Sequence, residues 1–349
     1  MVHGFTGSRV HGFIIFIFKI LISGIFVLII LDVLLHLYCN YPLTVIIDGT
    51  AKYEPSVFYS QGFEGFGWGR TNNDGYINTF DFHDGDLIKI LVMGSSHMEA
   101  AQVGINYSAA SVLNSLYGGS VYNTGISGHN LLVCARNIHA FVRKYKPKEY
   151  IVVEAADLKF PDEEFSSAIK NIDIQERTDL IWKIHNILNK SFLAKNSFLR
   201  LMHRQINHYI DTMRAKKSNA KASAAQAAGK LNNSELLSRL LISMRDAANY
   251  SGAKLIIAYH PSASIQQDGS MTLHEDKAVT AQFKEICEAN KIYFVNTGER
   301  FLKEYNENFT LPYGFWNTST GKGHMNIHGH RMFAEEIFKL INNINNNQE

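Results

Sequence analysis

Two short stretches far apart in the chain carry residue types that could do chemistry together. Gly94-Ser95-Ser96 follows a very apolar run, residues 88–93, where a strand would end and the chain must turn. Gly323-His324-Met325-Asn326-Ile327-His328-Gly329 places an imidazole in a glycine-opened loop ahead of an apolar helical pattern, Met332, Phe333, Ile337, Leu340 and Ile341. A hydroxyl that attacks acyl carbon needs a base within hydrogen-bond reach and donors for the developing oxyanion. A strand-end serine and a loop histidine are how an α/β domain supplies the first two.

The intervening sequence alternates short apolar runs with helical periodicity. Strands are expected at 87–93, 120–123, 150–155, 254–259 and 292–295, and helices at 107–117, 131–145, 234–250 and 278–289. Apolar runs separated by helices argue a parallel sheet covered on both faces, with ligands at the carboxyl ends of its strands. Ser96, residues 125–130 and Ala156-Asp157 all fall at those ends, and the C-terminal helix brings His324 to the same rim.

These blocks resemble those of the SGNH/GDSL hydrolase superfamily. Residues 90–99, Ile-Leu-Val-Met-Gly-Ser-Ser-His-Met-Glu, are similar to its nucleophile block. Tyr122-Asn123-Thr124-Gly125-Ile126-Ser127-Gly128 is similar to the second block, whose glycine offers an N–H to the oxyanion. Residues 314–330 resemble the last block, and Asn72-Asn73-Asp74-Gly75-Tyr76-Ile77 the lead-in to such domains.

The resemblance implies a three-layer α/β/α fold with a flavodoxin-like parallel sheet of about five strands. It further implies Ser96 as nucleophile and His324 as base, with the Ser96 and Gly128 N–H groups, and Asn130, as the oxyanion hole. Ser95, Asn326 and Asp157 are expected to support the site.

Two positions depart from the family pattern. Gly321 stands where an aspartate usually precedes the base by three residues, and Glu154-Ala155-Ala156-Asp157 where an asparagine is usual. A Ser–His dyad is therefore expected, with His324 oriented by a main-chain carbonyl in 320–323 or a hydroxyl such as Ser319 or Thr320. An aspartate introduced at 321 should then leave activity unchanged or raise it. His330 is expected to pack at the start of the last helix, and His97 to lie behind or outside the site. No metal or other cofactor is expected, since no carboxylate cluster accompanies His324, His328 and His330.

The N-terminus differs in kind. Residues 13–37 are apolar apart from Lys19, Ser23, Gly24, Asp32 and His36. About 20 helical residues cross a hydrocarbon core of roughly 30 Å, so this run suffices for a single-pass anchor. Arg9 and Lys19 precede the far end and no Lys or Arg follows until Lys52, which leaves the N-terminus in the cytoplasm and the rest outside.

The chain thus divides into a cytoplasmic tip and anchor (1–42), a Gly- and aromatic-rich lead-in with few clear elements (43–86), and an SGNH-like domain (87–349). A helical insert with an Ala/Lys/Ser linker interrupts that domain at about 160–233. With 34 basic and 32 acidic residues the net charge is +2, which argues against nucleic acid as a partner. Three cysteines without metal-ligand or CxxC spacing indicate no disulfide framework.

The function expected is a serine esterase or O-acyltransferase, handling O-acetyl groups on cell-surface or exported polysaccharide beside polysaccharide-export partners. A non-catalytic glycan-binding or assembly protein that keeps the fold is the alternative.

Overall fold

The computed structural model describes residues 6–42, 44–47, 50–160, 168 and 234–347; most of the expected insert and linker lies outside them. The chain opens with helix α1 (Thr6–Tyr38), apolar on all sides. Within it, His11–Tyr38 is a 28-residue span whose most apolar 18-residue window has mean hydropathy 3.0, with none of that window buried. At 1.5 Å per residue that span is about 42 Å long, enough for a tilted crossing.

The lead-in is more ordered than its composition suggested. Strands β1 (Thr44–Ile47) and β2 (Thr50–Tyr53) pair antiparallel, as do β3 (Phe58–Gln61) and β4 (Gly67–Arg70). Glycine masks the alternation of β4, and two of its glycines are there because backbone or ring must come close. A Cβ at Gly67 would sit 1.8 Å from the Ala101 carbonyl oxygen, and one at Gly69 would press on the buried Tyr59 ring at 3.2 Å. The loop between β3 and β4, residues 62–66, lies against the rim of the main domain.

That domain continues through β5 (Ile90–Met93), a one-turn helix α2 (Ser96–Glu99), α3 (Ala109–Tyr117), β6 (Val121–Asn123), α4 (Leu131–Tyr145) and β7 (Tyr150–Ala155). After the insert come α5 (Ser234–Tyr250), β8 (Lys254–Tyr259), β9 (Ser262–Ile265), β10 (Met271–His274), α6 (Lys277–Ala289), β11 (Tyr293–Asn296), α7 (Gly298–Asn308) and α8 (Ile327–Asn346). Five strands form one parallel sheet in the order β11-β8-β7-β5-β6. Counted along the sheet's own strands this is 2-1-3-4-5 read from the β6 edge, the flavodoxin-like order, and its direction reverses between β5 and β7.

Period-2 alternation sends successive strand residues to opposite faces. Ile151, Val153, Leu255 and Ile257 join the α4, α5 and α6 side with Ile138, Phe141, Leu241 and Phe283. Tyr150, Val152, Ile256 and Ala258 join the α3, α7 and α8 side with Leu113, Phe301, Phe333 and Ile337. The expected three-layer α/β/α sandwich is therefore present, with the strand ends of β5, β6 and β7 facing one rim.

Candidate active site

Ser96 is the first residue of α2, directly beyond β5. Ser95 caps that helix, its hydroxyl accepting from the His97 N–H at 3.3 Å, while its own N–H donates to Glu154 Oε2 at 2.7 Å. The turn works only with glycine before it: a Cβ on Gly94 would meet Met98 Cγ at 2.5 Å and Glu154 Oε2 at 2.6 Å. His324 sits in the loop before α8, and Asn326 fixes that loop from both sides. Its Oδ1 accepts from the N–H groups of His328 and Gly329, and its Nδ2 donates to the carbonyls of Leu311 and Gly314.

The two elements bring Ser96 Oγ and His324 Nε2 to 2.8 Å. The other ring nitrogen, Nδ1, lies 2.6 Å from Glu64 Oε2, and Glu64 Oε1 accepts the His324 main-chain N–H at 2.9 Å. This corrects the dyad expected from Gly321: the partner of His324 is a carboxylate from the β3–β4 loop, not a carbonyl or hydroxyl of 319–323. Glu64 lies 260 positions from the histidine, so no local spacing signals it.

A carboxylate only accepts, so Nδ1 carries the hydrogen and Nε2 is left to accept from the serine hydroxyl. Gly323 makes the approach possible, since a Cβ there would stand 2.5 Å from Glu64 Oε1. Asn317 clamps the loop, with Oδ1 accepting from Gly65 N–H at 2.9 Å and Nδ2 donating to the Gly62 and Gly65 carbonyls.

The loop after β6 is stitched to the serine turn. Ile126 N–H donates to the Gly94 carbonyl at 3.0 Å, and Gly125 packs so tightly on α2 that a Cβ would meet Glu99 N at 2.6 Å. Gly128 has φ +86° and open space beside it. Among the described residues the N–H groups of Ser96 and Gly128 have no acceptor, while the neighbouring Ser127 N–H is taken by Glu99 Oε2 at 2.5 Å. Asn130 caps α4, its Oδ1 accepting from Val133 N–H at 3.1 Å, a bond that uses its acceptor and not the Nδ2 donor an oxyanion would need.

Glu99, fully buried one turn beyond Ser96, also accepts from the phenols of Tyr41 and Tyr53. Burial first, and then the Glu99 charge, push both phenols well above their ordinary pKa, so both stay protonated and donate.

Behind the site lies a second carboxylate–histidine pair, which joins residues 106 positions apart. Glu154 Oε1 is 2.8 Å from His260 Nε2, and both side chains are 1% exposed. Tyr313 donates to the Pro261 carbonyl at 2.7 Å, so its oxygen accepts from His260 Nδ1 at 2.9 Å. His97 is sandwiched between the pairs, its ring 4.5 Å from that of His260 and 5.1 Å from that of His324. Burial, then the neighbouring imidazoles, hold His97 well below the usual histidine value. It is therefore neutral, and its Nδ1 accepts from Met325 N–H at 3.2 Å, bracing the His324 loop.

His330 packs where expected. It is buried at the start of α8 with Nδ1 accepting from Ala109 N–H at 3.2 Å, and burial pushes its pKa down to about 3. His328 and Asp157 are exposed, and Asp157 hydrogen-bonds to neither Ser96 nor His324.

No protein-family model matches this chain, and no curated protein sequence does. Among solved structures it aligns with a catalytic mutant of Axe2, an acetylxylan esterase from Geobacillus stearothermophilus, at 15% identity and TM-score 0.39 over 73% of this chain and 94% of that one. It also aligns with a member of the lipolytic G-D-S-L family from Veillonella parvula, at 13% identity and TM-score 0.38 over 72% and 97%. A third is LAE5, an α/β hydrolase from the metagenome of Lake Arreo, at 12% identity and TM-score 0.39 over 75% and 97%. The sheet order and the serine beyond its β5 strand give the chain the SGNH-hydrolase-like fold that its sequence blocks resemble.

Proposed function

We propose that the protein is a serine esterase or O-acyltransferase in which Ser96, His324 and Glu64 act as a triad. The observation that carries this reading is the continuous chain of contacts from Ser96 Oγ through both ring nitrogens of His324 to Glu64, at 2.8 and 2.6 Å. As Ser96 Oγ bonds to the acyl carbon, its proton passes to His324 Nε2, and the N–H groups of Ser96 and Gly128 receive the developing oxyanion. Glu64 keeps Nδ1–H aimed and stabilises the imidazolium that forms. Collapse of the tetrahedral intermediate breaks the ester C–O bond, and His324 returns the proton to the departing alcohol. Water or an acceptor hydroxyl then gives up its proton to His324 and takes the acyl group.

A membrane anchor with its N-terminus in the cytoplasm, read from α1, Arg9 and Lys19, favours O-acetylated cell-surface or exported polysaccharide as substrate, beside export partners. The test is labelling by a fluorophosphonate probe together with turnover of an acetylated oligosaccharide, with and without an acceptor glycan. The full-length protein should label at Ser96; Ser96→Ala and His324→Ala should neither label nor turn over substrate. Labelling that survives Ser96→Ala would overturn the assignment, and acyl transfer to the glycan, if seen, separates transferase from hydrolase.

A further inference from the structure

A face of exposed aromatic rings runs without a break from the end of α1 to the loop beside the site. Tyr38, the last residue of the apolar span, meets Phe63 and Phe66 edge-on at ring-centroid distances of 5.7 and 6.4 Å. Phe66 in turn stacks on Trp316 at 5.3 Å. Tyr38, Phe66 and Trp316 are 45, 50 and 82% exposed, and Trp68, in β4 two residues beyond Phe66, is 70% exposed. Water is a poor solvent for such a cluster, and a contiguous apolar patch of this kind marks a surface that meets something apolar.

Its position says what. The ring at the terminus of a membrane-crossing helix lies at the lipid–water boundary, the depth at which Trp and Tyr are enriched because one part of each ring is apolar and another polar. The patch is also held rigidly to that helix end: a Cβ on Gly62 would lie 2.6 Å from both the Tyr38 ring and its carbonyl oxygen. The far side of the patch is pinned by Asn317, next to Trp316, which bonds Gly62 and Gly65 on either side of Glu64.

We infer that Phe66, Trp68 and Trp316 seat in the interface of the bilayer crossed by α1, so that the Glu64–His324 edge of the site is held at the lipid surface. The inference rests on α1 being a membrane anchor, as proposed above. A substrate reaching Ser96 then approaches along that surface, as an ester on a lipid-linked carrier would, rather than from bulk solvent.

The test is quenching of tryptophan emission by phospholipids brominated in the upper acyl chain, with the full-length protein in nanodiscs. One form keeps Trp316 alone (Trp68→Phe, Trp182→Phe); a second keeps Trp68 alone and serves if the first does not fold. The reference form carries Tyr250→Trp as its only tryptophan, at an exposed position before β8 and so at the opposite end of the sheet. Emission of the patch reporter should fall about twofold in brominated discs, as expected of an interfacial ring, with the reference unchanged. Protein that enters the discs but shows no more quenching at the patch than at the reference would overturn the inference alone. Failure to enter the discs would overturn the anchor as well, and neither result depends on turnover.

Discussion

Two carboxylate–histidine pairs flank His97, alike in geometry and opposite in the use proposed for them. Glu64–His324 has side chains 22 and 28% exposed and ends on a serine hydroxyl. Glu154–His260 has both side chains 1% exposed and ends on Tyr313, itself bonded to a main-chain carbonyl. In the first pair the histidine has a nitrogen free to exchange a proton with a group that substrate can reach. In the second every polar atom is matched to a fixed protein partner, including Ser95 N–H, so the pair holds the turn beneath the nucleophile in shape. A carboxylate beside a histidine is thus no mark of catalysis; access and the identity of the third partner decide.

Matched substitutions break that comparison most directly. Glu64→Gln should lower turnover about 10³-fold, by weakening tautomer control and imidazolium stabilisation, while unfolding free energy changes by less than about 1 kcal/mol. Glu154→Gln should do the reverse, lowering stability in a urea titration by about 3 kcal/mol because a buried charge partner is removed. Residual turnover should then follow the folded fraction. Loss of stability in the first variant and of chemistry alone in the second would exchange the roles assigned here.

Gly321→Asp tests whether the missing family aspartate can simply be restored. Gly321 has φ +78°, and a Cβ would lie 2.8 Å from Ile265 Cγ1. Of the two outcomes expected from the sequence, unchanged or raised activity, only the first is kept: left-handed backbone and contact together should lower stability by about 1–2 kcal/mol, with no rise in turnover. Differential scanning calorimetry and the ester assay read the two effects separately.

The smallest effect concerns a histidine outside the proposed triad. His330 has its pKa depressed to about 3 in the fold against an ordinary 6.5, so the unfolded chain binds its proton first. Its contribution is present above pH 6.5 and is lost as pH falls from there toward about 3. His330→Gln should flatten the acid side of the stability–pH curve, seen as a smaller drop in melting temperature between neutral and acidic buffer. An unchanged slope would show that His330 is protonated in the fold.

The main domain was legible because its elements announce themselves locally. Buried parallel strands read as unbroken apolar runs, and β7 and β8 fall at 150–155 and 254–259 as expected; α4 and α5 carry clear helical stripes and fall at 131–145 and 234–250. Helix α7 went unread because its apolar face is little more than Phe301 and Tyr305, one turn apart in a polar segment. The β3–β4 hairpin went unread because glycine hides its alternation, and Glu64 with it. Ser96 and His324 each have a sequence neighbourhood that fits their chemistry. Glu64 has only a tertiary one, made by Asn317, Gly323 and the packing of Gly67 on Ala101.

The distance along the chain between the serine and its base has a consequence for the protein's making. Ser96 precedes His324 by 228 residues, and synthesis runs from the N-terminus at about 5–20 residues per second. For roughly ten to forty-five seconds, therefore, each new chain carries its hydroxyl without the group proposed to activate it. The carboxylate, 260 residues ahead of the histidine, is made earlier and waits longer. In the proposed triad the base comes from the loop just ahead of the final helix α8, so a chain stalled or cut short before residue 324 lacks the group that would activate Ser96.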